Sequence, residues 1–250
     1  MRIFGAFKGV FDLRKTWKSF VVDLLFFFVL GAALGLLTIR DLIGQNLLAL
    51  GDTVIQQSAT LKFSELIFQS VYFQRILLLA GAAALVTYPL YCLFHGWLWK
   101  YACQLRGKEF KVKKFFLVNL LWFPLFCVYV LVSFLFSYVD TIAQRLNPGT
   151  FPLMGTISNI LFFLIVYFAF LSYALLTKEK AGASIRKAFS MGFGKKGFPL
   201  AVALVVMVAA MLLISSLSAV SSLLFLILTY VSYPALMIWL RFVALEVVEG

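Results

Sequence analysis

The chain has 250 residues, 63% of them hydrophobic and only 13% charged, where soluble domains carry about 25% charged residues. A soluble domain of that composition could not cover its apolar surface, so the expected class is all-α: a polytopic transmembrane bundle. The basic excess, 22 Lys and Arg against 10 Asp and Glu, lies in short links between apolar runs, where it orients a membrane protein, and no nucleic-acid partner is expected.

Residues 3–17 set Ile3, Phe7, Val10, Phe11 and Trp17 near one helical face, opposite Lys8, Asp12, Lys15 and Lys18. That pattern predicts a helix over 1–18 lying in the membrane interface. The apolar run that follows, 19–38, is too long for a signal-peptide core and lacks a small-x-small cleavage site, which predicts a retained first span. Further spans are predicted over 76–99, 115–139, 157–176, 198–217 and 223–245, giving six helices in one membrane domain. The long outer loop, 40–75, holds Ile43, Leu47, Leu50 and Val54 at helical spacing, then Phe63, Leu66, Ile67 and Val71. Two short amphipathic helices are expected there, either packed as a cap or exposed to a ligand.

Basic residues sort to one side. Lys100, Arg106, Lys108, Lys111, Lys113 and Lys114 separate the second and third spans, and Lys178, Lys180, Arg186, Lys187, Lys195 and Lys196 the fourth and fifth. By the positive-inside rule both termini are expected in the cytoplasm, in a multi-pass protein of the cytoplasmic membrane. Trp17, Trp97, Trp99, Trp122 and Trp239 fall near that same interface. Lys15, Lys18, Lys113, Lys114, Lys195 and Lys196 are the candidates for anionic-lipid contact. Cys92, Cys103 and Cys127 are odd in number and lack CxxC spacing, so reduced structural thiols are expected.

Three segments before the odd-numbered spans look alike: Phe11 to Lys18-Ser19-Phe20, Phe110 to Lys113-Lys114-Phe115, and Phe189 to Lys196-Gly197-Phe198. The even spans carry Thr87-Tyr88-Pro89, Ser172-Tyr173-Ala174 and Ser232-Tyr233-Pro234. The expectation is three repeated helical hairpins, each preceded by a basic interfacial element. Pro89 and Pro234 each remove an intrahelical hydrogen bond, freeing the carbonyl of Leu85 or Tyr230, and predict kinks that serve as fixed bends or as hinges.

Ionisable groups inside a bilayer are costly, and this chain has few: Asp23, His95 and Arg241, with Asn119 as a polar companion. All four lie about a turn inside the cytoplasmic surface, so one polar cluster is expected, with Asp23 paired to Arg241 or His95. It is read either as a tie between helices or as the cytoplasmic gate of a polar pathway. Neither HExxH, paired catalytic carboxylates, a nucleophile elbow nor a P-loop occurs, so no enzyme chemistry, metal or cofactor is expected.

The run Ser184-Ile185-Arg186-Lys187-Ala188-Phe189, followed by Lys196-Gly197-Phe198 and the fifth span, resembles an element of a poorly characterised group of prokaryotic six-helix membrane proteins. The best-named members resemble the membrane domain attached to some glycerophosphodiester phosphodiesterases. The resemblance implies a role in membrane homeostasis or transport and identifies no functional residues; no phosphodiesterase catalytic domain lies in this sequence, so hydrolysis does not carry over. The basic amphipathic segment over 3–17 also resembles the elbow helix of ABC-2-type permeases, which implies a separate ATPase docking on the cytoplasmic links. A long first outer loop and the lack of a re-entrant pair before the sixth span depart from that pattern. Together these readings predict a non-enzymatic membrane protein that handles lipids or small solutes as one component of an assembly. The alternatives are a structural subunit of a larger complex, packed through Gly31, Gly35, Gly81 and the alanines at 82–84, or a permease subunit.

Overall fold

A computed structural model describes residues 13–36, 41–46, 49–50, 70–147, 149, 151–217 and 221–249. In chain order its elements are α1 (Leu13–Leu36), α2 (Val71–Leu105), α3 (Val112–Leu146), α4 (Leu153–Leu175), α5 (Ala181–Gly192), α6 (Phe198–Ser216) and α7 (Ser222–Glu249), and no strand occurs among the described residues. All except α5 are long and apolar enough to cross a membrane, which makes the chain a multi-pass membrane protein. Their outward faces carry large apolar side chains such as Leu78, Leu85, Val205, Leu212 and Leu213. A surface of that kind belongs against lipid, where each backbone polar group must be paired within its own helix.

Most of the helices overrun the predicted spans, whereas α6 keeps within its own. α2 and α3 have 35 residues each. At 1.5 Å per residue each is about 50 Å long, well beyond a hydrocarbon core of roughly 30 Å. The predicted bounds stop at charges, whereas a helix stops where its backbone is interrupted. α2 runs on through Lys100 to a glycine stop: Gly107 takes φ 66°, its N–H donates to the Gln104 carbonyl, and the Lys108 N–H donates to the Cys103 carbonyl. That pair of bonds is a Schellman cap. α3 ends at Asn147, whose extended backbone (φ −139°, ψ 91°) is the conformation favoured before a proline, here Pro148.

No break separates the described part of the interfacial helix expected over 1–18 from the first span. Residues 13–36 form one continuous helix through Ser19, because no glycine or proline interrupts Leu13 to Ser19. Residues 1–12 lie outside the described residues. Helix also continues through Pro89 and Pro234, and through a third internal proline, Pro124.

The chain divides into two compact units, one of residues Leu25–Leu93 and the other of Met1–Leu24 with Phe94–Gly250. In the first, Phe26 and Tyr91 meet edge to face at 6.3 Å, and Leu50 packs on Ile76 with Phe73 beside it. Residues 41–46 are helical there, whereas Val54, Phe63, Leu66 and Ile67 of the predicted outer amphipathic loop lie outside the described residues.

The second unit is organised around α4, which packs against α3, α5, α6 and α7. Every residue from Tyr167 to Leu175 is buried, so this part of α4 is enclosed on all sides. α7 is likewise buried from Met237 to Leu245. At the opposite end of α4, Asp140 of α3 accepts N–H bonds from Met154 (3.2 Å) and Gly155 (2.6 Å). A carboxylate from the preceding helix thus supplies the N-terminal cap that Pro152 cannot.

Candidate functional site

The α1 face turned inward is polar. Thr16, Ser19 and Asp23 are buried, whereas Trp17, Lys18 and Val21 are exposed. The spacing of three and four residues puts the buried trio on one stripe. In water such a stripe would face solvent; against lipid the arrangement inverts, and the polar groups must find partners inside the protein.

Asp23 finds Arg241. The guanidinium donates from Nη1 to Asp23 Oδ2 at 2.8 Å and from Nη2 to Oδ1 at 2.9 Å, with both side chains 1% exposed. Two parallel bonds match the planar fork of arginine to the carboxylate, the strongest and most directional form of this pair. His95 of α2 completes the group: its Nδ1 stands 3.4 Å from Arg241 Nη2. Arginine has only donors, so a hydrogen bond at this contact would use Nδ1 as its acceptor. Residues from α1, α2 and α7, far apart in sequence, thereby meet at one buried charge pair.

Asn119 stands in a different network. Its Oδ1 accepts from the Tyr173 hydroxyl at 2.6 Å, and its Nδ2 donates to the Phe115 carbonyl at 2.9 Å. Tyr173 is caged by Phe115 (4.7 Å between centroids), Trp99 (5.7 Å) and Phe170 (6.4 Å). Next to it, the Trp122 indole donates to Ser172 Oγ at 2.9 Å. The Ser172-Tyr173 pair, noticed in the sequence as an echo, thus ties α4 to α3. The echo was the available signal, but only the rotation of α4 about its axis decides that Asn119 is the partner.

At this end of the unit the basic links are largely engaged. Arg106 binds Glu246 at 2.8 Å and lies over the Phe242 ring, and Lys108 pairs with Glu249. Lys178 donates to the Val248 carbonyl at 2.8 Å, and Lys114 to the carbonyls of Glu179 (2.8 Å) and Leu176 (3.4 Å). Lysines at helix C-termini satisfy carbonyls that lack intrahelical donors and complement the negative end of the helix dipole. Lys114, one of the lysines expected to meet anionic lipid, is half-buried and serves here as a cap on the end of α4. Lys187 binds Glu179 at 2.6 Å. That hydrogen bond and the lysine's charge hold the Glu179 carboxyl below the usual carboxylate range. Lys18, Lys113, Lys195 and Lys196 are exposed, and the side chain of Lys15 lies outside the described residues.

Cys92, Cys103 and Cys127 are free thiols, the first two buried. Among the described residues no three His, Cys, Asp or Glu side chains come together as a metal site would need. The Asp23–Arg241 pair ties α1 to α7, and either partner left alone in that buried setting would need another polar or charged group beside it. No protein-family model, curated protein or solved structure matches the chain.

Proposed function

We propose that the chain is a non-enzymatic membrane protein that handles lipids or small solutes as one component of a membrane assembly. In this reading both termini face the cytoplasm, and the Asp23–Arg241–His95 group is the latch of a polar pathway at the cytoplasmic end. One observation carries it: a bidentate Asp23–Arg241 pair buried inside membrane-spanning helices. Such a pair is often no more stable than apolar residues of the same volume, so its presence asks for a role beyond holding the fold. The exposed lysines of the same end would meet anionic headgroups.

A second reading, a structural subunit, is favoured by the outward glycines. Among the described residues, nothing lies within 4 Å of a Cβ built on Gly31, Gly35 or Gly81. Such positions admit the close approach of another helix.

The test is purification in mild detergent with mass spectrometry of retained proteins and lipids, followed by reconstitution in liposomes carrying labelled lipids and small polar solutes. The lipid- or solute-handling reading expects protein-dependent movement of one of these probes. Movement no faster than in empty liposomes, with stoichiometric membrane subunits retained, would favour the structural reading instead.

A further inference from the structure

Where α5 turns into α6, the chain borders an open groove of about 610 Å³. That volume lies within the range of about 300–1,000 Å³ usual for small-molecule sites. One wall is Phe163, Leu164 and Tyr167 of α4, the other is Phe198 and Ala201 of α6, and the turn Gly192–Lys195 closes the end. The floor is fixed by Tyr167, whose hydroxyl donates to the Gly192 carbonyl at 3.0 Å.

The groove is chemically two-ended. Its walls belong to two membrane-spanning helices and are apolar along their length. Its mouth carries Lys195, whose ammonium has no carboxylate partner among the described residues. Phe193 is 82% exposed and Phe198 67% exposed at the same level. Exposed phenylalanine rings offer apolar surface to acyl chains, while the lysine beside them can extend its ammonium toward a polar headgroup.

We infer that this groove is a binding site for an acidic glycerophospholipid, with an acyl chain along Phe163, Leu164 and Ala201 and its phosphate paired with Lys195. Charge complementarity selects the anionic class, and the apolar walls require a chain that a free phosphate lacks. The inference deepens the lipid-handling reading and rests on it in setting the basic end against an anionic leaflet.

The test is native mass spectrometry of the full chain in detergent, titrated with phosphatidylglycerol or with phosphatidylcholine of the same acyl chains. The wild type should retain phosphatidylglycerol about fivefold more strongly, because the choline cation offsets the phosphate charge of phosphatidylcholine, and K195A should abolish that preference. A201W, which fills the groove, should lower binding of both lipids. Equal retention of the two lipids by the wild type, or a preference that survives K195A, would overturn the site. Lys195 is exposed, so K195A decides the matter even where A201W fails to fold. A Lys195-dependent preference without movement in liposomes would uphold the site and remove the transport reading; movement without the preference would do the reverse.

Discussion

Asp23 and Arg241 show how much one pair of side chains can demand of a membrane fold. Removing one partner leaves the other charged and buried, and D23N should destabilise the protein by about 3–5 kcal/mol. D23L/R241M removes both charges at similar volume and should melt within about 1 kcal/mol of the wild type in detergent. A double variant as unstable as D23N would mean that the ionic geometry itself holds α1 against α7. These residues were legible in the sequence because a charge inside an apolar run needs a partner wherever the helices go. The partners of Asn119 and Lys114 were not. They depend on helix rotation and on which carbonyls a helix end leaves open, and neither follows from spacing along one helix.

Among the elements, the α5–α6 turn leaves almost no room at Gly192 and Gly197. A Cβ on Gly197 would overlap the Tyr167 hydroxyl and stand 2.9 Å from both Gly192 Cα and the Met191 carbonyl oxygen. Two of those obstacles are backbone and cannot rotate away. G197A should therefore cost about 1–3 kcal/mol in thermal unfolding, and adding Y167F should not restore the loss. Full recovery in the double variant would place the obstruction in the hydroxyl alone. Helix existence was readable from the apolar runs, helix ends much less so. Gly107 announced the end of α2 more faithfully than Lys100 did, since charge marks the membrane surface and glycine marks a break in the helical backbone. α5 was expected as a basic interfacial element, yet its apolar side also contributes Phe189, which packs on Phe168 at 4.5 Å and Trp122 at 6.1 Å.

For the whole molecule, six apolar helices establish the multi-pass class, and the distribution of lysine and arginine supplies the proposed sidedness. With Cys92, Cys103 and Cys127 replaced, K180C should react with an impermeant maleimide only in inverted vesicles, and N147C only in right-side-out vesicles. The reversed pattern would turn the protein over and detach the basic end from the anionic leaflet. The most direct measurement of the central claim is movement of the active probe in liposomes holding either the wild type or D23L/R241M, with melting temperatures matched. A latch predicts that the apolar pair changes the rate at least severalfold while the fold is kept; equal rates from equally folded proteins would reduce the pair to a tie between helices.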